Sequence, residues 1–128
     1  MILLLDTHAF LWFVLDDPKL SATARASISD PLSRVLISPA SYWEIAIKIS
    51  LGKYALPGSF ASFMREQLRE NDFEILPILP EHTASLVALP FHHRDPFDRL
   101  LIAQAMSEGV RLVSGDAALD AYPVRRLW

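Results

Sequence analysis

Ile2-Leu3-Leu4-Leu5-Asp6-Thr7 decides the fold. A short, wholly apolar run stopped by an acid reads as a strand buried on both faces, as strands are in a parallel sheet. Asp6-Thr7-His8 then opens a helix over about Ala9 to Leu15. Phe10, Leu11, Trp12, Phe13 and Val14 make that helix apolar almost all round, so both its faces require cover. Asp16-Asp17-Pro18 ends it.

The same alternation continues outward from this unit. Leu20 to Ser29 reads as a short helix with Ser21 as its N-cap. Val35-Leu36-Ile37-Ser38 is a second strand, and Ser38-Pro39 caps and starts a helix running to about Leu51, with Gly52 as a C-cap. Ser59 to Asn71 is amphipathic, with Phe60, Phe63, Met64 and Leu68 opposite Arg65, Glu66, Arg69 and Glu70. Phe73 to Leu79 is a third strand whose Pro77 requires an edge position. A short helix starts at Pro80, and a longer one runs from Pro96 to Glu108 with Gly109 closing it. Arg111 to Ser114 is a fourth strand, and Val124 to Trp128 a last edge strand. Strands alternating with helices imply an α/β fold, a sandwich around a mostly parallel sheet.

The 128 residues fit one domain spanning 1–128. With 52% hydrophobic residues the chain folds rather than staying disordered, and it is greasy enough to bury surface against a partner. The longest apolar run, Ala9 to Leu15, is far short of the roughly 20 residues of a membrane span, so no membrane association is expected. The start has no basic residue and reaches an acid at Asp6, unlike a signal peptide. The absence of cysteine excludes disulfides, thiol nucleophiles and cysteine-based zinc sites, and fits a reducing cytoplasm. A net charge of −3 is unlike the basic balance of most nucleic-acid binders, although a local basic patch or a bound cation can reverse the field where it matters.

The densest ionisable stretch is His92-His93-Arg94-Asp95-Pro96-Phe97-Asp98-Arg99. Asp95 before Pro96 is a good N-cap, and Asp98 suits the first turn of a helix. Asp98 also shares a face with Leu101, Ile102 and Ala105, the face that turns toward the sheet. Asp95 is therefore assigned to structure and Asp98 to chemistry. Asp6 and Asp116 both follow strand ends, where open parallel sheets bind ligands. Their competing explanations are a helix cap and a turn, with Asp120 a weaker rival one turn on. Glu44 lies too deep in its helix to cap it, and its largely apolar neighbours argue against a plain surface pair with Lys48. Jointly the four acids predict one cluster at one end of the sheet. Clustered carboxylates repel unless a cation compensates, and an oxygen-only set favours Mg²⁺ or Mn²⁺. Such a site activates water for in-line displacement at phosphorus.

His92 and His93 read either as a general acid–base pair or as a polar loop before a capped helix. His8 reads as a helix-start residue. Arg94 and Arg99 can hold a phosphate bidentately or simply neutralise Asp95 and Asp98. Lys48, Lys53, Arg65, Arg69, Arg125 and Arg126 read as surface charges, some of them on a path for a nucleic-acid backbone.

Four motifs stand in order: Leu5-Asp6-Thr7, Ser38-Pro-Ala-Ser41-Tyr-Trp-Glu44-Ile45, Arg94-Asp-Pro-Phe-Asp98-Arg-Leu-Leu-Ile-Ala-Gln-Ala105 and Leu112-Val-Ser-Gly-Asp116. Together they resemble the PIN domains, and more narrowly the VapC-type toxins of bacterial toxin–antitoxin pairs. The resemblance implies a three-layer α/β/α sandwich and a cytoplasmic, Mg²⁺- or Mn²⁺-dependent endoribonuclease. It also implies a homodimer, silenced by a cognate antitoxin that covers the site. Asp6, Glu44 and Asp98 match the family's main metal-site acids, and Asp116 matches the fourth, least regular one. Thr7 and Ser114 would orient Asp6 and Asp116. Asp95 is a common companion whose role stays open. The oily first helix would meet the antitoxin or the second protomer. The rival readings are RNA cleavage by His92 and His93 through the 2′-hydroxyl, without metal, and a non-catalytic RNA- or protein-binding module. A phosphatase is disfavoured because Asp6-Thr7-His8 lacks the second acid of an Asp-x-Asp motif.

Overall fold

The computed structural model describes residues 1–128. In chain order its strands are β1 (Ile2–Leu5), β2 (Arg34–Ile37), β3 (Glu74–Ile75), β4 (Arg111–Val113) and β5 (Arg126–Leu127). They form one sheet in the order β3-β2-β1-β4-β5, and every pairing is parallel. The central strand is the one that carries the apolar run. Leu3, Leu4 and Leu5 are fully buried, because helices cover both faces of the sheet. Each such side chain contributes about 1.5–3 kcal/mol relative to exposure.

The pleat divides the core in two. Leu3, Leu5, Val35, Ile37 and Val113 join one cluster with α1 (Thr7–Val14), α2 (Ala22–Ser29) and α4 (Phe60–Glu70). Leu4, Leu36 and Leu112 point the other way, into a cluster with Leu101, Ile102 and Ala105 of α6 (Pro96–Glu108). Residues two apart along a strand share a face, and this period of two builds the α/β/α layers. α3 (Pro39–Ser50) serves both clusters, with Ile45 in the first and Ala40 in the second. α5 (Pro80–Val87) packs on α6, and buried His82 ties them. Its Nδ1 accepts the Leu79 N–H at 3.0 Å, and its Nε2 meets Glu108 at 2.8 Å.

The caps fall where the local chemistry puts them. Asp6, Ser21, Ser38, Ser59 and Asp95 each accept a backbone N–H from the first turn of the helix that follows. Gly109 closes α6 at φ 65°, a left-handed conformation that costs glycine little. Several boundaries differ from expectation: α1 starts at Thr7, and β5 is only Arg126–Leu127. β3 is an edge strand of two residues, continued only by Leu76 N–H donating to Ile37, because Pro77 has no N–H to extend the ladder. A 3₁₀ turn at Ala117–Ala121 follows Asp116 and has no counterpart in the sequence reading. No helix is long and apolar enough to cross a membrane.

Candidate active site

The strand order turns back on itself beside β1. The chain goes from β1 to β2 on one side, and later enters β4 on the other. Such a switch point leaves a crevice beyond the carboxyl ends of the strands. Asp6 leaves β1 and Asp116 follows β4, so they stand on its two sides. Glu44 comes from the second turn of α3, and Asp98 from the first turn of α6. All four line one open cleft of about 580 Å³, together with Asp95, His93 and Lys48.

Hydrogen bonds fix each acid separately. Asp6 Oδ1 accepts the Ala9 N–H at 2.7 Å. The Thr7 hydroxyl donates to Glu44 Oε1 at 2.7 Å and lies 3.2 Å from the Ser41 hydroxyl. Thr7 therefore positions Glu44, not Asp6 as the sequence reading had it: as the first residue of α1 it faces α3. Lys48 holds the other Glu44 oxygen at 3.5 Å. Asp95 Oδ1 accepts the N–H groups of both Phe97 and Asp98, which anchors the start of α6. Buried Ser114 accepts the Asp116 N–H at 3.1 Å, and Asp116 Oδ1 caps the 3₁₀ turn through Ala118.

His93 is the member of the site that the sequence undervalued. Its Nδ1 accepts the Asp95 N–H at 3.1 Å, so its proton sits on Nε2. That Nε2 lies 3.2 Å from Asp98 Oδ2 and 3.1 Å from Asp116 Oδ2, bridging the two acids. Its position two residues before a helix-capping Asp was the available signal. His92 points away and meets the Tyr122 ring edge-on, so the two histidines do not converge as an acid–base pair.

Crowding of acids has an electrostatic consequence. Burial raises Asp98, and neighbouring Asp95, Asp6 and Glu44 raise it further against the opposing pull of His93, to about 7. Burial also raises Asp6, opposed by the Ser114 hydroxyl and the Ala9 N–H. A divalent cation would relieve this repulsion. The donors are carboxylate oxygens from four different elements, a set that fits Mg²⁺ or Mn²⁺. Asp98 and Asp116 offer ligand atoms within 4.8 Å of one another and of the His93 Nε2, which could join them only by giving up its proton.

Comparison with known proteins agrees with this geometry. The PIN domain family model matches residues 3–124. This chain belongs to the PIN-domain family. Among its relatives the PIN domain is similar to Ribonuclease VapC22 of Mycobacterium tuberculosis (strain ATCC 25618 / H37Rv). The two are 31% identical over 120 residues, covering 93% of this chain and 90% of the relative. The chain is thus a PIN domain of the VapC type. Its fold is similar to VapBC2 from Rickettsia felis, solved bound to a promoter DNA fragment, with TM-score 0.75 and 16% identity over 99% of this chain and 98% of that one. FitAcB from Neisseria gonorrhoeae is similar at TM-score 0.67 and 20% identity, over 100% and 97% of the two chains.

The two arginines that the sequence offered for phosphate binding do not line the cleft. The Arg99 guanidinium is buried and turned away from the cleft. It donates to the carbonyls of Leu89, Pro90 and His93 at 3.0, 2.8 and 3.3 Å, and lies 4.0 Å over the Phe91 ring. Its terminal nitrogens hold the 89–95 segment away from the cleft, so it is not placed to bind phosphate there or to neutralise the adjacent acids. Arg94 is exposed and does not line the cleft. Asp120 is also elsewhere, held by Arg126 through bonds of 2.8 and 3.0 Å that lower its pKa.

Proposed function

We propose that this PIN domain is a ribonuclease, the toxin of a toxin–antitoxin pair, which hydrolyses RNA phosphodiester bonds with Mg²⁺ or Mn²⁺ held by Asp6, Glu44, Asp98 and Asp116. The observation that carries the reading is the convergence of those carboxylates, from the end of β1, α3, α6 and the segment after β4, in one cleft. The names of its relatives support RNA as substrate and a cognate antitoxin as partner. A homodimer is part of the same proposal.

The bound cation would supply charge neutralisation at the phosphate and a lowered pKa for water. The chain's own part is positional. Thr7 and Lys48 restrain Glu44, the Ala9 N–H restrains Asp6, and Asp95 fixes the turn that presents Asp98. Water attacks phosphorus in line, the bond to the 3′-oxygen breaks, and the products carry a 5′-phosphate and a 3′-hydroxyl. The water gives up one proton, and the departing 3′-oxygen takes one up.

The test is cleavage of a mixed tRNA and rRNA pool by the purified, partner-free protein in Mg²⁺, Mn²⁺ or EDTA, with product ends mapped. Cuts with 5′-phosphates are expected in either metal and none in EDTA. Cuts persisting in EDTA with cyclic phosphate ends would discard the reading. Metal should also stabilise the fold, by about 2.7 kcal/mol at a concentration 100 times Kd, and this is read as a rise in Tm on adding Mn²⁺.

Thr7→Val tests the positioning directly. It removes the 2.7 Å bond to Glu44 while keeping the side-chain volume. Loss of such an orienting partner should weaken Mn²⁺ binding and cleavage by about 10–100-fold. Isothermal titration would measure the first and initial rates the second. Unchanged values for both would remove Thr7 from the site.

A further inference from the structure

The chain has only three lysines, Lys19, Lys48 and Lys53, and all of them stand on one face. Lys19 and Lys48 line the acid cleft. Lys19 and Lys53 line a second cleft of about 340 Å³, which shares His8 and Trp12 with the first and so continues it. None of the arginines lines either cleft. A chain of net charge −3 thus gathers its ammonium groups beside its acidic site. Lys48 is paired with Glu44, but Lys19 and Lys53 are exposed and form no ion pair. Asp17 is the one acid lining the second cleft.

Between the lysines runs a wall of rings. His8 and Trp12, one helical turn apart on α1, are stacked at 5.2 Å with their planes 18° apart. Trp128 meets Trp12 at 5.9 Å from the other chain end. Lys19 lies 6.0 Å over Trp12, and Lys48 lies 5.4 Å over Tyr54. His8 is exposed, so the stack ends in an open ring next to Asp6. Flat rings between mobile cations are the pattern that single-stranded nucleic acid uses, with bases on the rings and phosphates on the cations.

We propose that this second cleft seats an unpaired nucleotide flanking the scissile phosphate, its base stacked on the His8–Trp12 platform and its phosphates held by Lys19 and Lys53. The proposal rests on the ribonuclease reading above and assigns the residues that hold the nucleotide next to the cut. A duplex keeps its base faces stacked and cannot offer one to His8. A basic peptide would meet the same lysines with the wrong sign, and an acidic one would use the lysines without using the exposed ring stack. A nucleic-acid strand can instead place its phosphates on the lysines and on the cation of the acid cleft.

The test uses the whole chain carrying Asp98→Asn in Mg²⁺, so that RNA is bound without being cut. The probe is a labelled mixed-sequence RNA of about ten nucleotides, single-stranded or annealed to its complement, read by anisotropy across a salt series. The single strand should bind more tightly than the duplex. His8→Ala should weaken it by about 10-fold, within the range for one stacked base. Lys19→Ala with Lys53→Ala should flatten the salt dependence by about 1.4, or 0.7 for each phosphate no longer neutralised. With Asp98 intact, both changes should raise KM and leave kcat in place. Unchanged affinity and salt slope overturn the proposal. So does a result in which the lysine pair alters only binding of the antitoxin, which would make the cleft a protein interface. If the wild type cleaves RNA and these variants match it, this inference alone fails. If the wild type neither binds nor cuts RNA, the ribonuclease reading fails and takes this one with it.

Discussion

Asp98→Asn is expected to abolish RNA cleavage and, at the same time, to raise the thermal stability of the metal-free protein. The loss follows from removing a charge that a divalent cation needs. Several kcal/mol of transition-state stabilisation are at stake, so cleavage should fall by at least about 10²-fold. The gain follows from the cleft itself. The Asp98 carboxyl titrates near 7 in the folded chain, against 3.8 ordinarily, chiefly through burial and then through Asp95 and Asp6. Between these two values the folded protein keeps a proton that the unfolded chain releases. Wild-type stability therefore falls as pH rises from about 4 to about 7, and stays lower above that. An amide has no such proton to lose. Discounted for the partial exposure of Asp98, the variant should be more stable by roughly 1 kcal/mol at pH 8, or about 4 °C in Tm. No difference from this source is expected at pH 4. Thermal melts in EDTA between pH 4 and 8 read the effect. Equal melting curves at pH 8, or retained cleavage, would count against a site built on carboxylate repulsion.

Arg99→Ala should damage the fold more than any change in the cleft. Arg99 is buried with no carboxylate partner, and its charge is balanced by carbonyl dipoles and the Phe91 ring. Truncation leaves the Leu89 and His93 carbonyls without their donor, and the Pro90 carbonyl with the Tyr122 hydroxyl alone. Losing several charge-assisted bonds at a buried site costs about 3 kcal/mol, or roughly 10 °C in Tm for a domain of this size. Arg99→Lys should recover only part of this, since an ammonium cannot span the same set of acceptors. Cleavage should fall as well, because the segment Arg99 holds delivers His93 and Asp95 to the site. A phosphate-binding arginine would behave differently, raising KM with an unchanged Tm. Denaturant unfolding and initial-rate kinetics on the same preparations separate the two roles, and the second outcome would reverse the assignment made from the structure.

Much of this fold was legible in the chain. The run Ile2–Leu5 required helices on both sides, and Leu3, Leu4 and Leu5 have them. Asp95-Pro96 and Ser38-Pro39 marked helix starts to the residue, because capping depends on groups within one turn. The boundaries that moved were those with weak local signals. At β3 two exposed residues pair at a sheet edge, and at Ala117–Ala121 a tight turn has no hydrophobic period to announce it. Within the site, Asp6, Asp98 and Asp116 each had an ordinary local explanation as a cap, a first-turn acid or a turn residue, and what was legible was their joint placement with Glu44 at one end of the sheet. His93 and Arg99 were misjudged because their neighbours in sequence are not their partners. His93 reaches Asp116, and Arg99 meets the hydroxyl of Tyr122 from 23 positions on.

The sequence by itself determined the α/β class, the helix caps and the placing of acids at strand ends. These follow from periodicity and from hydrogen bonds that close within a few residues. Only the tertiary structure decided which acid Thr7 restrains, that Arg99 is a buried clamp, and that three lysines separated by up to 34 positions share one face with the acids. Those facts depend on the paths by which loops return to the carboxyl end of the sheet. A loop's path is set by contacts with distant segments, so it leaves no repeating pattern in the residues that form it.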